Sequence, residues 1–402
     1  MSDSRTAQWL KSLQQRSTTT AMVRWLAPVT KLAHRVPAAA SATRWLPRVE
    51  EGLPPALDDA TCRRLSEDLG VGDVTSAWFV ALNGWRASAW TTRLFLRGTD
   101  GNVTSVVCKA TDYLGQLSAA RGLPLEPGPP EVAVLDPAVR TASSGLRKFL
   151  PVSYFCQTLG PGKFLLILED LGPSHRLQYD FRSVMRVVDR LPALQRALAD
   201  YAGEGPWLEY EDALKSNLFR DYVRQHLGQY CDDTGSEVGH LALKQLDDLL
   251  AGCTWPEWPE DSTTMVHGDV NVANVMHPRL VAAGGPVAGG PDIRFIDWEW
   301  AGHNVPHADL AALTKSLRNT SEETRAVLRF ISHYPQWSTD QHEVMYNQAK
   351  LARSLLDASF LSAQRSCARL GARLDIEGPL GRALDAAQEL RESPSHRKGA
   401  GN

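Results

Sequence analysis

The stretch His267-Gly268-Asp269-Val270-Asn271-Val272-Ala273-Asn274 decides the reading of this chain, because Ile296-Asp297-Trp298-Glu299 follows at the distance that a short β-hairpin needs. Phosphoryl transfer asks little covalent chemistry of a protein. It needs a hydroxyl held in line, metal ions that offset phosphate charge, one carboxylate beside the attacking oxygen, and oxygen ligands for the metal. Asp269, in a loop after a strand, can take or orient the proton of an acceptor hydroxyl. Asn274 can offer its amide oxygen to Mg²⁺, and Asp297, at the end of the next strand, can bind Mg²⁺ bridging the β and γ phosphates of ATP. His267 is expected to buttress the loop, since Asp269 already stands where a base is wanted. A chance His-Gly-Asp-x-x-x-x-Asn arises in about one chain in a thousand at ordinary residue frequencies.

The rest of the chain suits a globular enzyme. Its 402 residues are 43% hydrophobic and 22% charged with a formal net charge of -3, which demands no nucleic-acid partner. Cys62, Cys108, Cys156, Cys231, Cys253 and Cys367 are scattered without a CxxC pair, against a zinc site or a disulfide framework. No apolar run approaches the ~18 residues of a membrane span, and no signal peptide is evident. The expected setting is soluble and cytoplasmic. Residues 1–55 stand apart as a basic extension, helical or partly disordered, in which Arg5, Lys11, Arg16, Arg24, Lys31, Arg35, Arg44 and Arg48 alternate with Trp9, Trp25 and Trp45. Such a segment packs as a solvated helix or docks on a peptide or protein partner.

Residues 57–70 read as a helix, and alternation then predicts strands over 75–82, 89–97 and 103–110, the last two joined by the turn Gly98-Thr99-Asp100-Gly101-Asn102. Pro129-Pro130-Glu131 starts a helix that Pro137 should interrupt. Two more strands fit 152–158 and 163–169. From about residue 173 the periodicity turns helical, except for short strands at 264–267 and 293–297 and a Gly/Pro-rich loop at 278–291. Residues 391–402 read as a disordered tail.

With its catalytic loop and Asp-Trp-Glu both intact, the chain resembles, over about residues 75–375, the phosphotransferase family of aminoglycoside and choline kinases. That resemblance implies an α+β, protein-kinase-like fold: a small antiparallel β lobe with one helix (56–171) and a larger, mostly helical lobe (172–390) carrying the catalytic loop and acceptor site. It implies Asp269 as base and Asn274 and Asp297 as metal ligands, with ATP and Mg²⁺ as cofactors. Asp309, in His307-Ala308-Asp309-Leu310-Ala311, takes a structural role, holding the helix after the metal strand. Lys109, closing the apolar strand Val106-Val107-Cys108-Lys109, falls where the family's phosphate-binding lysine stands; physically, a lysine there must surface or find an anion. Glu131 is its expected partner, with Glu126 next in line. Leu165 to Gly172 looks like the hinge, where backbone groups near Glu169 and Leu171 would meet adenine. Gly84 to Ser88 takes the phosphate-covering position, although one glycine followed by Trp85 and Arg86 is a poor glycine-rich cradle.

The acceptor is written more faintly. Residues 173–265 hold 16 acidic against 9 basic residues, with Glu204, Glu209, Glu211 and Asp212 near Trp207 and Tyr210, a surface that would suit a cationic acceptor. Residues 311–402 reverse the balance, with 13 basic against 10 acidic. Transfer of the γ-phosphate to a hydroxyl of a small aminoglycoside-, amino-alcohol- or sugar-like molecule is the leading expectation. Kinases of Ser or Thr in peptides, which the basic extension would serve, come second. A nucleotide-binding regulator without turnover comes third, since such a protein has no need of Asp269, Asn274 and Asp297 together.

Overall fold

Along residues 91–98 every second side chain is buried, and in the computed structural model of the protein this alternation places Ala89–Gly98 inside an antiparallel sheet. Described are residues 49–54, 57–82, 89–112, 130–136, 144–172, 180–201, 205, 207–210, parts of 224–251, 258, 261–276, 293–317, 319–367 and 377–392. Six strands, β1 (Val49–Glu51), β2 (Val74–Ala81), β3 (Ala89–Gly98), β4 (Val103–Asp112), β5 (Ser153–Gly160) and β6 (Lys163–Glu169), lie in the order β1-β2-β3-β4-β6-β5, antiparallel throughout. The expected turn joins β3 to β4, with Asp100 accepting the backbone N–H of Asn102 at 2.9 Å and Gly101 at φ 79°.

Helix α1 (Asp59–Leu69) begins on the side chain of Asp58, which accepts the N–H of Thr61, and stops at Gly70 in the left-handed region. Its Cys62 and Leu65 pack with Leu57 over Phe79, Leu94, Leu96, Val106, Cys108, Leu165 and Ile167, closing one face of the sheet. Burying each such side chain contributes about 1.5–3 kcal/mol. Lys109 belongs to the opposite face. Leu166 and Leu168 on that face, with Val134 and Leu135 of α2 (Pro130–Leu135), join the core of the larger lobe, so the two lobes share one apolar interior.

A short helix α3 (Ser144–Arg147) leads to β5. Beyond β6 follow α4 (Phe181–Val188), α5 (Leu191–Tyr201), β7 (Leu208–Glu209), α6 (Glu237–Ala251), β8 (Thr264–Val266), β9 (Val275–Met276), β10 (Arg294–Phe295), β11 (Gly302–Asn304), α7 (His307–Thr314), α8 (Thr320–Ile331), α9 (Thr339–Cys367) and α10 (Glu377–Glu392). Asp180 caps α4 through Ser183, and Val184, Val187, Val188, Leu191, Leu194 and Leu198 bury the facing sides of α4 and α5. β9 and β10 form the expected hairpin, Val275 opposite Phe295, so the segments that carry Asn274 and Asp297 are hydrogen-bonded neighbours.

Two departures from the expected plan concern its edges. Val49–Glu51 pairs with β2, Val49 opposite Val80, and so extends the sheet upstream of residue 56; residues 1–48 lie outside those described. Helix α10 runs to Glu392, and 393–402 are outside as well, as are Glu126, Pro137 and the loop 278–291. Among the described residues no helix is long and apolar enough to cross a membrane.

Helices α7 and α9 are joined by two buried histidines, His307 Nε2 to His342 Nδ1 at 2.9 Å, with His342 Nε2 on the carbonyl of Tyr334 at 3.1 Å. Burial lowers both pKa values, His307 further through its neighbour. An unfolded histidine titrates near 6.5, so the unfolded chain takes up protons that the folded one refuses. Stability is therefore complete above about pH 6.5 and falls below it, by up to about 1.4 kcal/mol per pH unit for each histidine. Denaturant unfolding at pH 7.5 and 5.5 checks this: His342→Gln should flatten the dependence, and an unchanged slope would contradict the pairing.

Candidate active site

A backbone that no side chain would tolerate opens the catalytic loop. Gly268 adopts φ 79°, and a Cβ there would run into the carbonyl of Trp300 and come within 2.8 Å of the Tyr210 hydroxyl, which itself donates to Trp300 O at 2.7 Å. Asp309, fully buried on α7, accepts the N–H of Gly268 at 2.9 Å and that of His267 at 3.2 Å. Burial pushes its carboxyl up, while Gln195 of α5, donating at 2.9 Å, and the loop amides work the other way. Asp309 thus ties α7 to the catalytic loop, a wider role than holding its own helix. His267 is buried against Trp298, ring centroids 4.3 Å apart; its Nε2 meets Ile296 O at 3.0 Å and its Nδ1 accepts the N–H of Asp269 at 3.3 Å. Both ring nitrogens are engaged, and neither is placed to take a substrate proton.

Asp269 is 5% exposed. Asn274, at the end of a single 3₁₀ turn capped by the Asn271 side chain, donates its Nδ2 to Asp269 Oδ2 at 2.9 Å and to Asp269 O at 3.0 Å. With the amide nitrogen directed at Asp269, the Asn274 carbonyl oxygen is the atom left to face a cation. The other carboxylate oxygen, Asp269 Oδ1, meets Arg353 Nη2 of α9 at 2.5 Å.

Lys109, on β4, gathers the remaining acids. Its Nζ lies 2.8 and 2.7 Å from the two carboxylate oxygens of Glu131 and 2.9 Å from Asp297 Oδ1. Glu131 is 1% exposed, not the solvent-facing helix-start glutamate its position would also allow. Burial opposes the lysine's charge, but Asp297, Glu131 and Glu299 together hold its pKa above the ordinary range. Asp297 has φ 68°, a left-handed conformation rare outside glycine, which turns its side chain back toward Lys109. Asn274 and Asp297 are hard oxygen donors that suit Mg²⁺, an ion that keeps most of its shell from water and phosphate. Among the described residues no group of three or more His, Cys, Asp or Glu is placed to hold a metal ion.

At the hinge, the N–H of Glu169 donates to Val152 O at 2.7 Å and its carboxylate accepts from Val152 N at 3.0 Å, so the side chain fastens strands. Leu171 is buried. Asp170 takes Arg93 at 2.7 Å, Ser105 at 2.7 Å and the N–H of Gly172 at 2.9 Å, bracing the hinge against β3 and β4. Gly84 and Ser88 lie outside the described residues.

Of the acidic, aromatic surface expected near residue 210, the aromatic residues are interior. Trp207 and Tyr210 are 8% and 7% exposed and belong to the interior, Trp207 edge-on to Tyr201 and Tyr210 on Trp300 O; Glu209 is exposed but holds His303 at 2.6 Å. Glu204, Glu211 and Asp212 lie outside the described residues. Sequence reading missed Arg353, Gln195 and Asp170: each acts on a partner far along the chain, and none carries a local motif.

The arrangement is that of a protein-kinase-like fold: a β lobe whose lysine meets a helix glutamate and a strand-end aspartate, over a helical lobe with an Asp-Asn loop. More particularly, residues 157–344 match the model of the phosphotransferase enzyme family. Among solved structures, a microcompartment-associated aminopropanol kinase is 15% identical, the match covering 84% of this chain and 98% of that one with a TM-score of 0.50. An amicoumacin kinase in complex with AMP-PNP, Ca²⁺ and Ami is 12% identical, the match covering 78% of this chain and 89% of that one, TM-score 0.49. The choline kinase LicA from Streptococcus pneumoniae is 14% identical over 83% and 99%, TM-score 0.44. A search of curated protein sequences gives no match.

The Gly268 geometry makes a direct prediction. Gly268→Ala should lower the stability to unfolding by at least about 2 kcal/mol, measured by urea denaturation, because strain and a backbone clash add. A loss under about 0.5 kcal/mol would mean that the loop relaxes freely.

Proposed function

We propose that this chain is an ATP-dependent phosphotransferase that moves the γ-phosphate onto a hydroxyl of a small molecule. One observation carries the reading: a half-buried lysine of the β lobe bridges Glu131 and Asp297 within 2.9 Å, while Asp269 is held by Asn274. The two carboxylates needed, one for metal and one for the acceptor, thus have separate partners. Mg²⁺ arriving with the nucleotide would be held by Asn274 and Asp297 and would offset charge on the β and γ phosphates.

Asp269 orients the acceptor alcohol and receives its proton as the oxygen attacks. A bond forms from that oxygen to the γ phosphorus, the bond to the ADP oxygen breaks, and the O–H bond gives its proton to the Asp269 carboxylate. Lys109 exchanges part of its contact with Asp297 for the phosphates, with Glu131 keeping its position. Burial of the site between the lobes limits transfer to water. The peptide-kinase reading rests on residues 1–48, outside those described, and no observation favours it. A regulator without turnover would leave the Asp269–Asn274 contact without a purpose.

Mass spectrometry of alcohol libraries incubated with Mg·ATP, read for the gain of one phosphate, tests the proposal. Asp269→Asn should lower turnover by about 10²–10⁴-fold with nucleotide affinity within a few-fold. Asp297→Asn should weaken Mg·ATP binding itself by at least about tenfold. Wild-type turnover by Asp269→Asn would refute its role as base.

A further inference from the structure

Asp269 differs in one respect from a bare catalytic carboxylate: a cation from another helix already sits on it. Arg353 of α9 meets Asp269 Oδ1, donates to Gly268 O at 3.0 Å and pairs with Asp357 at 2.9 Å, one turn further along the same helix. Asp357 is shared again. Lys315, just past α7, meets it at 3.1 Å, and Arg382 of α10 approaches to 4.0 Å. Among the described residues this cluster therefore sets three cations, Lys315, Arg353 and Arg382, against two anions, Asp269 and Asp357.

The cations are not all satisfied within the cluster. Lys315 and Arg382 have side chains 25% and 39% exposed, and Arg382 Nε is buried without a hydrogen-bond partner. Burial and the charge of Arg353 pull the Lys315 ammonium below its ordinary pKa range, with Asp357 and Asp269 only partly offsetting them. A buried or half-buried cation in this condition is stabilised by a further anion. An ammonium brought to the same place would meet a cluster in which three cations outweigh the two anions, Asp269 and Asp357, so Coulomb's law disfavours it relative to an anion.

Resting on the kinase reading above, we propose that Lys315, Arg353 and Arg382 make the acceptor end of the site cationic, so that the alcohol phosphorylated carries an anionic group near its reacting hydroxyl. The shared chemistry is that of a carboxylate or a phosphate monoester. In this account Arg353 is a positioning residue for Asp269 and, through the same guanidinium, sets which acceptors can approach. The cationic acceptor suggested by residues 173–265 is the opposite outcome.

Four alcohols built on a three-carbon chain test it: 3-aminopropan-1-ol, propane-1,3-diol, 3-hydroxypropionate and 3-hydroxypropyl phosphate. The full chain is titrated calorimetrically with each, with and without Mg·AMP-PNP. At least one anion should bind about tenfold or more tightly than the amine, and which one leads separates carboxylate from phosphate. The advantage should shrink below about threefold in Lys315→Gln and in Arg382→Gln, chosen because Arg353→Gln risks misfolding the loop. An amine that binds as tightly as both anions, a preference that survives both substitutions, or no binding of either anion up to about 20 mM would overturn the proposal. The Mg·AMP-PNP affinity from the same titrations reports on the kinase reading separately: its absence, with the anion preference intact, would remove that reading and leave an anion site.

Discussion

One ammonium group organises the molecule. Lys109 would be costly to bury alone, and it is paid for only because carboxylates from two other places reach it: Glu131 from α2 and Asp297 from the far lobe. Removing any member leaves an uncompensated charge in a partly buried site. The sheet, α2 and the metal strand must therefore arrive together, and the shared apolar interior of Leu166, Leu168, Val134 and Leu135 brings them there.

A second constraint fixes the other half of the site. The catalytic loop has little regular structure, so its amides need outside acceptors. Asp309 supplies two, Gln195 holds Asp309, and the Tyr334 hydroxyl in turn donates to Gln195. Asp269 thereby inherits its position from α5, α7 and α9, helices distant in sequence, and Arg353 completes the hold from the side opposite Asn274. A loop positioned this way can present a carboxylate with little reorganisation, which is what transition-state stabilisation by fixed groups requires.

How much of this was legible depends on the range over which each residue acts. The strands over 89–97 and 163–169 were readable because alternation and glycine turns are local, and Lys109 and Glu131 because a charged residue ending an apolar strand or opening a helix stands out. The three-residue strand Val49–Glu51 was not, since so short a segment has no periodicity and gains its identity only from β2. Trp207 and Tyr210 were misjudged for a related reason: acidic neighbours in sequence suggested solvent, whereas the contacts that bury them come from Tyr201 and Trp300. Arg353 looked like one more helix charge. Its partner lies 84 residues upstream, and no local pattern announces such a pairing.

The central claim is that Asn274 and Asp297 form the metal side, and Lys109 the phosphate side, of one nucleotide site. A crystal structure of the protein with Mn·AMP-PNP, phased for the anomalous signal of manganese, tests it most directly. The account predicts a manganese peak between the Asn274 amide oxygen and the Asp297 carboxylate, with Lys109 on the α and β phosphates and still paired to Glu131. Manganese bound elsewhere, or a nucleotide whose phosphates lie away from Lys109, would contradict it.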